Sequence, residues 1–218
     1  MIKVIVFDFD GVLADSNKLK YDAFFDLFSG NEKAKAVVSD TLKDFQSKNK
    51  TRFEALKAIF VKLGEGESKV AGLVKTYSAR YDTDVREKIA SQGLFPGVLD
   101  MLKALCKKYN LYINSATPEL ALERTIDKLE IGHFFKGVYG RPIIGMSSVP
   151  NSKELNLERI METEKVVGDE VLFVGDGEAD REAAKAYNCH FIGVANDFNG
   201  WGKQESFKTI KSVAELKI

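Results

Sequence analysis

The stretch that decides the fold runs from residue 4 to residue 11 and reads Val4-Ile5-Val6-Phe7-Asp8-Phe9-Asp10-Gly11. Four apolar residues follow one another without a break, and two aspartates and a glycine come directly after them. An uninterrupted apolar run of this length is typical of a strand that is covered on both faces, as in parallel sheets. The stretch therefore predicts a buried strand that carries acidic side chains at its carboxyl end.

The same strand pattern returns three times along the chain. The further stretches are Leu111-Tyr112-Ile113-Asn114-Ser115, Val171-Leu172-Phe173-Val174-Gly175-Asp176 and His190-Phe191-Ile192-Gly193-Val194. Segments of helical periodicity alternate with them, at residues 98–107, 119–129, 155–166 and 178–187. This alternation predicts an α/β fold with a Rossmann-like open parallel sheet, whose ligands bind beyond the carboxyl ends of the strands.

Residues 17–92 interrupt the alternation. They are rich in lysine, and their apolar side chains follow a helical spacing, as in Tyr21, Phe24, Phe25 and Phe28. We therefore expect an inserted all-helical cap at residues 17–92, with a catalytic core at residues 1–16 and 93–218. The stretch Gly93-Leu94-Phe95-Pro96-Gly97 is the predicted return linker, because glycine and proline stop helices.

Composition narrows the class of partner. Of the 218 residues, 32 are lysine or arginine and 32 are aspartate or glutamate, so the net charge of zero offers no electrostatic footprint for nucleic acid or an anionic membrane. The first apolar run is too short for a signal peptide or a membrane span. We expect a cytoplasmic monomer or homodimer that binds small solutes, with Cys106 and Cys189 as reduced core residues.

Acidic side chains follow two of the predicted strands. Asp8 and Asp10 lie two residues apart, where an extended backbone points both to one face. At a separation of about 4 Å their repulsion is on the order of 4 kcal/mol, which a bound divalent cation offsets. Asp176 and Asp180 follow the third strand. Helix capping is the alternative for each motif alone, but the two together favour a magnesium site.

Phosphate-binding groups are predicted at two further places. The Ser115 hydroxyl and the backbone at Ala116 lie before Thr117-Pro118, where a helix begins, and can hold phosphate oxygens. Lys153 lies just before another helical segment and can neutralise the same phosphate or the nucleophile. Either feature alone is also compatible with an ordinary helix start.

Taken in order, these four motifs resemble those of the haloacid dehalogenase-like hydrolase superfamily. The resemblance covers the whole chain and is to the branch of phosphoglycolate phosphatase and β-phosphoglucomutase, in which a helical cap lies between the first and second motifs. It implies a magnesium-dependent phosphatase that hydrolyses a small phosphorylated metabolite, of the phosphoglycolate or sugar phosphate type, through an aspartyl-phosphate.

The resemblance also implies a role for each motif residue. Asp8 is the nucleophile, and Asp10 is the general acid and base, which a halide leaving group would not require. Ser115 and Lys153 bind the phosphoryl oxygens. The implied magnesium ligands are the Asp8 side chain, the Asp10 backbone carbonyl, Asp176 and Asp180.

A sugar phosphomutase of the β-phosphoglucomutase type is the first alternative. The stretch Lys48-Asn49-Lys50-Thr51-Arg52-Phe53-Glu54-Ala55-Leu56 matches the mutase cap motif only at its Lys, Arg and Leu. Lys20 also replaces the cap-hinge histidine, and Gly175 replaces a second acidic metal ligand. Lys50 and Arg52 are candidates for binding a substrate's distal anionic group, and a solvated basic helix face is the competing interpretation.

A non-catalytic phosphate-binding switch is the alternative from another class, since aspartate clusters at sheet edges also accept phosphate for signalling. The full set of Asp8, Asp10, Lys153 and Asp176 disfavours it.

Overall fold

The computed structural model describes residues 1–46, 51–144, 147–202 and 205–218. These residues form two compact units. The first unit contains Met1–Asn17, Ile89–Pro142 and Val149–Ile218, and the second contains Lys18–Lys88 with Ile143–Ser148. Among the described residues, no helix is long and apolar enough to cross a membrane.

A six-stranded parallel sheet forms the centre of the first unit. Its strands are β1 Val4–Phe7, β2 Asn110–Pro118, β3 Gly137–Arg141, β6 Val171–Gly175, β7 His190–Val194 and β8 Lys208–Ile210. Their order in the sheet is β3-β2-β1-β6-β7-β8, and every neighbouring pair is parallel. Together with the helical insertion described below, this sheet confirms the predicted fold class.

The two outer strands, β3 and β8, are the part of the sheet that the sequence pattern does not predict. An outer strand has a neighbour on one side only, and neither strand is fully buried. Each therefore lacks the continuous apolar run that marks β1, whose four residues are all completely buried.

Four helices of the first unit begin and end within a few residues of their predicted positions. They are α5 Val98–Leu105, α6 Glu119–Lys128, α7 Ser152–Glu164 and α8 Glu178–Ala186. Leu157 and Ile160 of α7 and Ala183 and Ala184 of α8 pack in one cluster with Val4, Val6, Val171 and Phe173 of the strands. The start of α7 at Ser152 is earlier than predicted and brings Lys153 into its first turn.

The described residues of the second unit are mainly helical. Its helices are α1 Asn17–Asp26, whose first residue belongs to the first unit, α2 Glu32–Gln46, α3 Arg52–Lys62 and α4 Glu67–Gln92, whose last four residues belong to the first unit. Phe28, Phe60 and Tyr77 form an aromatic cluster inside it. A hairpin of β4 Ile143–Ile144 and β5 Ser147–Ser148 groups with these helices, which the sequence pattern does not predict.

One prediction about the core is wrong. Cys106 is exposed, because it lies in the exposed turn that follows α5. Cys189 is partly buried and packs against the cluster of β1, β6, α7 and α8.

Candidate active site

The predicted site residues of the first unit gather at the carboxyl edge of the sheet. Strand β1 lies between β2 and β6, with Phe7 in register with Ile113 and Val174. The residues that follow these three strand positions are therefore close in space. Asp8 follows β1, Asp176 follows β6, and Ser115 lies near the end of β2.

Lys153 connects two of the acidic residues. Its Nζ lies 2.9 Å from Asp8 Oδ2, and it also donates to Asp180 Oδ1. The other oxygen of Asp180, Oδ2, accepts a hydrogen bond of 2.9 Å from the backbone N–H of Gly177 at the start of α8. Asp8, Lys153 and Asp180 are all buried, so the first turns of α7 and α8 deliver a charged group each to the end of β1.

Burial and mutual repulsion disfavour the charged forms of these carboxyl groups. Burial, together with the charges of Asp180 and Asp10, raises the pKa of Asp8 to about 7, although Lys153 opposes the rise. Burial and Asp8 raise the pKa of Asp176 to about 6. For Lys153, burial lowers the pKa, but the charges of Asp180 and Asp8 outweigh it, so the net shift is upward.

The donor set fits a divalent cation. Asp8, Asp176 and Asp180 each offer a carboxylate oxygen, and these oxygens lie within 4.8 Å of one another. Lys153 pairs with Asp8 and Asp180, so when all three carboxylates are ionised its ammonium balances one negative charge and two remain. Hard oxygen donors suit Mg²⁺. The Asp10 carboxylate is not part of this group, and its backbone carbonyl as a ligand stays a prediction.

Hydroxyl groups surround the carboxylate of Asp10. Its Oδ1 accepts from Ser16 Oγ, and its Oδ2 accepts from Thr117 Oγ1 at 2.7 Å and from Ser115 Oγ at 3.4 Å. Asp8 pairs with the ammonium group of Lys153, whereas these three hydrogen bonds to Asp10 come from hydroxyls. The two aspartates therefore differ in environment, and their roles as nucleophile and general acid and base stay predictions. Ala116 follows Ser115 and is half-buried, and the phosphate contacts of both residues stay predictions.

Three asparagines hold Asp176, and the sequence reasoning missed all of them. Asn17 Nδ2 and Asn196 Nδ2 donate to Asp176 Oδ2 at 2.8 and 2.6 Å, and Asn199 Nδ2 donates to the Asp176 carbonyl at 2.9 Å. Asn17 comes soon after the first acidic motif, and the other two follow the carboxyl end of β7, which neighbours β6. The sequence offered one indication of their role, which is that they lie in the segments that follow the ends of β1 and β7.

Two further asparagines, buried between β2 and α7, support Lys153. Asn114 Nδ2 donates to the Lys153 carbonyl at 2.8 Å. Asn156 Nδ2 lies 3.1 Å from Asn114 Oδ1 and 2.9 Å from the Gly140 carbonyl of β3, and donates to both. The start of α7 is thereby fixed to two strands of the sheet.

Arg52 lies in the second unit and is not on a solvated helix face. Its side chain is 11% exposed, its Nε donates to Ser78 Oγ at 2.7 Å, and its Nη2 donates to Asp82 Oδ2 at 2.5 Å. The guanidinium therefore joins α3 to α4. Its contact with substrate stays a prediction, and Lys50 lies outside the described residues.

Comparison with known proteins identifies the family. The family model for haloacid dehalogenase-like hydrolases matches residues 2–188. A phosphoglycolate phosphatase of Pseudomonas putida is 32% identical over 109 residues, which are 49% of this chain and 38% of that protein. One from Pseudomonas savastanoi pv. phaseolicola is 27% identical over 90% of this chain and 71% of its own length. The first relatives are matched over less than half of their length.

Solved structures agree on the fold. A predicted phosphoglycolate phosphatase from Haemophilus somnus superposes with a TM-score of 0.70 at 19% identity, covering 98% of this chain and 95% of that one. A haloacid dehalogenase-like hydrolase from Streptococcus pneumoniae gives 0.66 at 22% identity, covering 96% and 94%. The HAD-hydrolase YfnB from Bacillus subtilis, bound to magnesium, gives 0.67 at 17% identity, covering 98% and 96%. The chain therefore belongs to the haloacid dehalogenase-like hydrolase family.

Proposed function

We propose that the protein is a magnesium-dependent phosphatase that hydrolyses a small phosphorylated metabolite through an aspartyl-phosphate on Asp8. The arrangement of Asp8 carries the proposal. Asp8 directly follows β1, and its carboxylate lies 2.9 Å from the Lys153 ammonium. The same carboxylate belongs to the group of three that fits Mg²⁺. A bound Mg²⁺ would offset the repulsion between this anionic nucleophile and an anionic phosphate.

Two displacements at phosphorus account for the hydrolysis. In the first, an Asp8 oxygen bonds to phosphorus, the bond to the leaving oxygen breaks, and Asp10 gives that oxygen its proton. In the second, Asp10 takes a proton from water, the water oxygen bonds to phosphorus, and the bond to Asp8 breaks. The products are the alcohol and inorganic phosphate, and both aspartates return to their initial protonation states.

The side chains around Asp8 and Asp10 suit these steps. Burial lowers the pKa of Lys153, but Asp180 and Asp8 outweigh it and favour the ammonium form, whose charge in turn favours the ionised form of the nucleophile. It can also bind a phosphoryl oxygen once substrate replaces part of its contact with Asp8. Ser16, Thr117 and Ser115 fix the Asp10 carboxylate by hydrogen bonds. Fixed orientation lowers the cost of proton transfer to the leaving oxygen.

The proposed substrate class is phosphoglycolate or a small sugar phosphate. It is supported by the named activity of the relatives from Pseudomonas and by a net charge of zero, which gives no footprint for a polyanionic partner. For substrates of this class, Arg52 stays a proposed contact for the distal anionic group of the substrate.

The phosphomutase alternative is weaker. A putative β-phosphoglucomutase from Thermotoga maritima superposes with a TM-score of 0.63 at 19% identity, which concerns the fold alone. The mutases carry an acidic residue where this chain has Gly175. A side chain at that position would collide with the side chain of Asp180, so the packing of Asp180 requires glycine there. This observation favours the phosphatase.

The test is phosphate release from a panel of phosphorylated metabolites with Mg²⁺, by wild-type protein, Asp8→Asn and the control Asp15→Asn. Asp15 is exposed and lies on the same loop, so it matches the substitution without touching the acidic group. We expect turnover by the wild type and the control, and none by Asp8→Asn. A wild type that releases no phosphate from any substrate would overturn the proposal, and so would full activity of Asp8→Asn. Isomerised sugar phosphate that appears faster than free phosphate would identify a mutase.

A further inference from the structure

We propose that Asn17, Asn196 and Asn199 form an amide clamp that orients Asp176 as a metal ligand and thereby sets the affinity for Mg²⁺. The proposal rests on the proposed function, because it takes Asp176 to bind the cation. The three asparagines act through Asp176 and are positioning residues. All four residues belong to the first unit.

The clamp binds one oxygen of the Asp176 carboxylate and does not contact the other. Asp176 Oδ2 accepts two amide hydrogens, from Asn17 at 2.8 Å and from Asn196 at 2.6 Å. Asn199 donates to the carbonyl oxygen of the same residue at 2.9 Å. With Oδ2 held by two donors, the rotation of the carboxylate is fixed, and Oδ1 is the oxygen left for a cation.

The loop that carries two of the amides is itself tightly bonded. Asn196 Oδ1 accepts from the backbone N–H groups of Phe198 and Asn199, at 2.9 and 3.1 Å. Asn199 Oδ1 accepts in turn from the N–H groups of Asn196 and Trp201, at 3.1 and 3.0 Å. Asn199 Nδ2 also donates to the carbonyl of Val194, the last residue of β7, at 2.8 Å. The clamp is therefore anchored to the strand two places from β1.

The third amide reaches Asp176 because residue 11 is glycine. Gly11 has φ +71°, and a Cβ built on it would collide with both Asp176 Oδ2 and Asn17 Nδ2. The side chains of Asn17 and Asp176 thus meet in the space that the absent side chain leaves open. This close approach is independent of the β7 loop and involves a different segment of the chain.

Neutral donors suit this position better than cationic ones. An amide fixes a carboxylate without cancelling the negative charge that attracts Mg²⁺, whereas lysine or arginine would compete with the cation. The ammonium of Lys153 pairs with Asp8 and Asp180 instead. Partners that orient metal ligands in this way typically contribute about 10-fold to 100-fold to metal affinity.

The test is isothermal titration of Mg²⁺ into metal-free wild type, Asn17→Ala, Asn196→Ala and the double variant. Exposed Lys18→Ala and Asp197→Ala, each next to a clamp residue, are the matched controls. We expect each clamp variant to raise the Kd for Mg²⁺ by about tenfold and the controls to leave it unchanged. Melting in EDTA establishes that each variant is folded. We also expect kcat of the clamp variants to recover at saturating Mg²⁺, which a general loss of structure would not allow.

Folded clamp variants that bind Mg²⁺ with the wild-type Kd would overturn the clamp, as would equal weakening by the controls. Asn17 lies outside the β7 loop, so Asn17→Ala carries the test where a loop variant unfolds. If the wild type binds Mg²⁺ and the variants are unaffected, only the clamp is wrong. If the wild type neither binds Mg²⁺ nor releases phosphate, the proposed function is wrong as well.

Discussion

Lys153 Nζ and Asp8 Oδ2 form an ion pair of 2.9 Å in which the side chains are only 6% and 9% exposed. Replacing the lysine by methionine leaves the buried carboxylates without their cation. We expect Lys153→Met to lower the free energy of unfolding in EDTA by about 3–5 kcal/mol. Mg²⁺ should restore part of this loss, because it supplies positive charge to the same group.

Urea unfolding with EDTA or Mg²⁺ measures both effects. Lys18→Met is the control, since Lys18 forms an exposed pair with Asp22 that contributes about 0–1 kcal/mol. A Lys153→Met protein as stable as the wild type in EDTA would contradict the prediction.

The acidic group predicts how stability depends on pH. Without metal, the pKa values of Asp8 and Asp176 are raised from 3.8 to about 7 and about 6. These folded-state pKa values exceed the unfolded ones. The stabilisation that the two groups contribute is therefore complete below about pH 4 and is lost as the pH rises through about 7. A Mg²⁺ ion bound by these carboxylates would favour their ionised forms and so act in the opposite direction. We therefore expect the rise in Tm on adding Mg²⁺ to be larger at about pH 8 than at about pH 5.5.

Thermal melts across this pH range, with EDTA or Mg²⁺, make the measurement. A Mg²⁺ effect that does not change with pH, or that grows as the pH falls, would show that these two carboxylates do not bind the cation.

Thr117 donates a hydrogen bond of 2.7 Å to Asp10, and its loss should affect proton transfer more than metal binding. A hydrogen bond to a charged group contributes about 1.5–3 kcal/mol, so we expect Thr117→Val to lower kcat by about tenfold or more with alkyl phosphates. Asp10→Asn should lower it further. Both variants should lose least with aryl phosphates, whose leaving oxygens need little protonation.

The ratio of kcat for alkyl and aryl phosphates provides the readout. Thr163→Val is the control, because Thr163 is an exposed helical residue that bonds to the Arg159 carbonyl. Equal losses with both leaving groups would contradict the role of Asp10 as a general acid.

Asn114 and Asn156 are buried and share a hydrogen bond, so removing one leaves polar groups of the other unpaired. We expect Asn114→Ala and Asn156→Ala each to lower the free energy of unfolding by about 1–3 kcal/mol. The double variant should lose less than the sum, because the residues are coupled. Urea unfolding of the four proteins completes the cycle, and strict additivity would exclude the coupling.

Gly11 and Gly30 form a natural comparison. Both have positive φ, but a Cβ at Gly11 would collide with Asp176 and Asn17, whereas one at Gly30 meets nothing within 4 Å. Alanine at either position should lower stability by about 1–2 kcal/mol through backbone strain. Gly11→Ala alone should also weaken Mg²⁺ binding. Titration of both variants tests this, and equal Mg²⁺ affinity in the two would show that the space at Gly11 is not needed.

The residues that the sequence revealed were mainly the charged ones of the site, such as the carboxylates of the acidic group. Asp8 and Asp176 follow apolar runs, and parallel strands bring their carboxyl ends to one edge, so these two acids could be placed together from strand ends, whereas Asp180 joins them from the first turn of α8. The fold class followed from the same alternation of strands and helices.

The supporting residues were not predictable by that route. Asparagines such as Asn17 and Asn196 are common in turns, and only the fold shows that their amides meet one carboxylate. The pair of Arg52 with Asp82 joins residues thirty positions apart through the packing of α3 against α4. Periodicity marks which face of a helix is apolar, but not which helix it meets.

The central position of β1 has a consequence for biosynthesis. Val4–Phe7 is synthesised well before its two partner strands, which begin at Asn110 and Val171. The contacts among the helices of the second unit join residues that are closer in sequence than the paired strands are. These helices can therefore form before β1 is fully paired. We therefore expect one edge of β1 to stay unpaired, and its apolar residues to stay partly open to chaperones, until residue 175 has left the ribosome. Limited proteolysis of stalled, ribosome-bound chains would test this. Cleavage near β1 should decrease between chains in which residue 175 is still inside the ribosome and chains in which it has emerged.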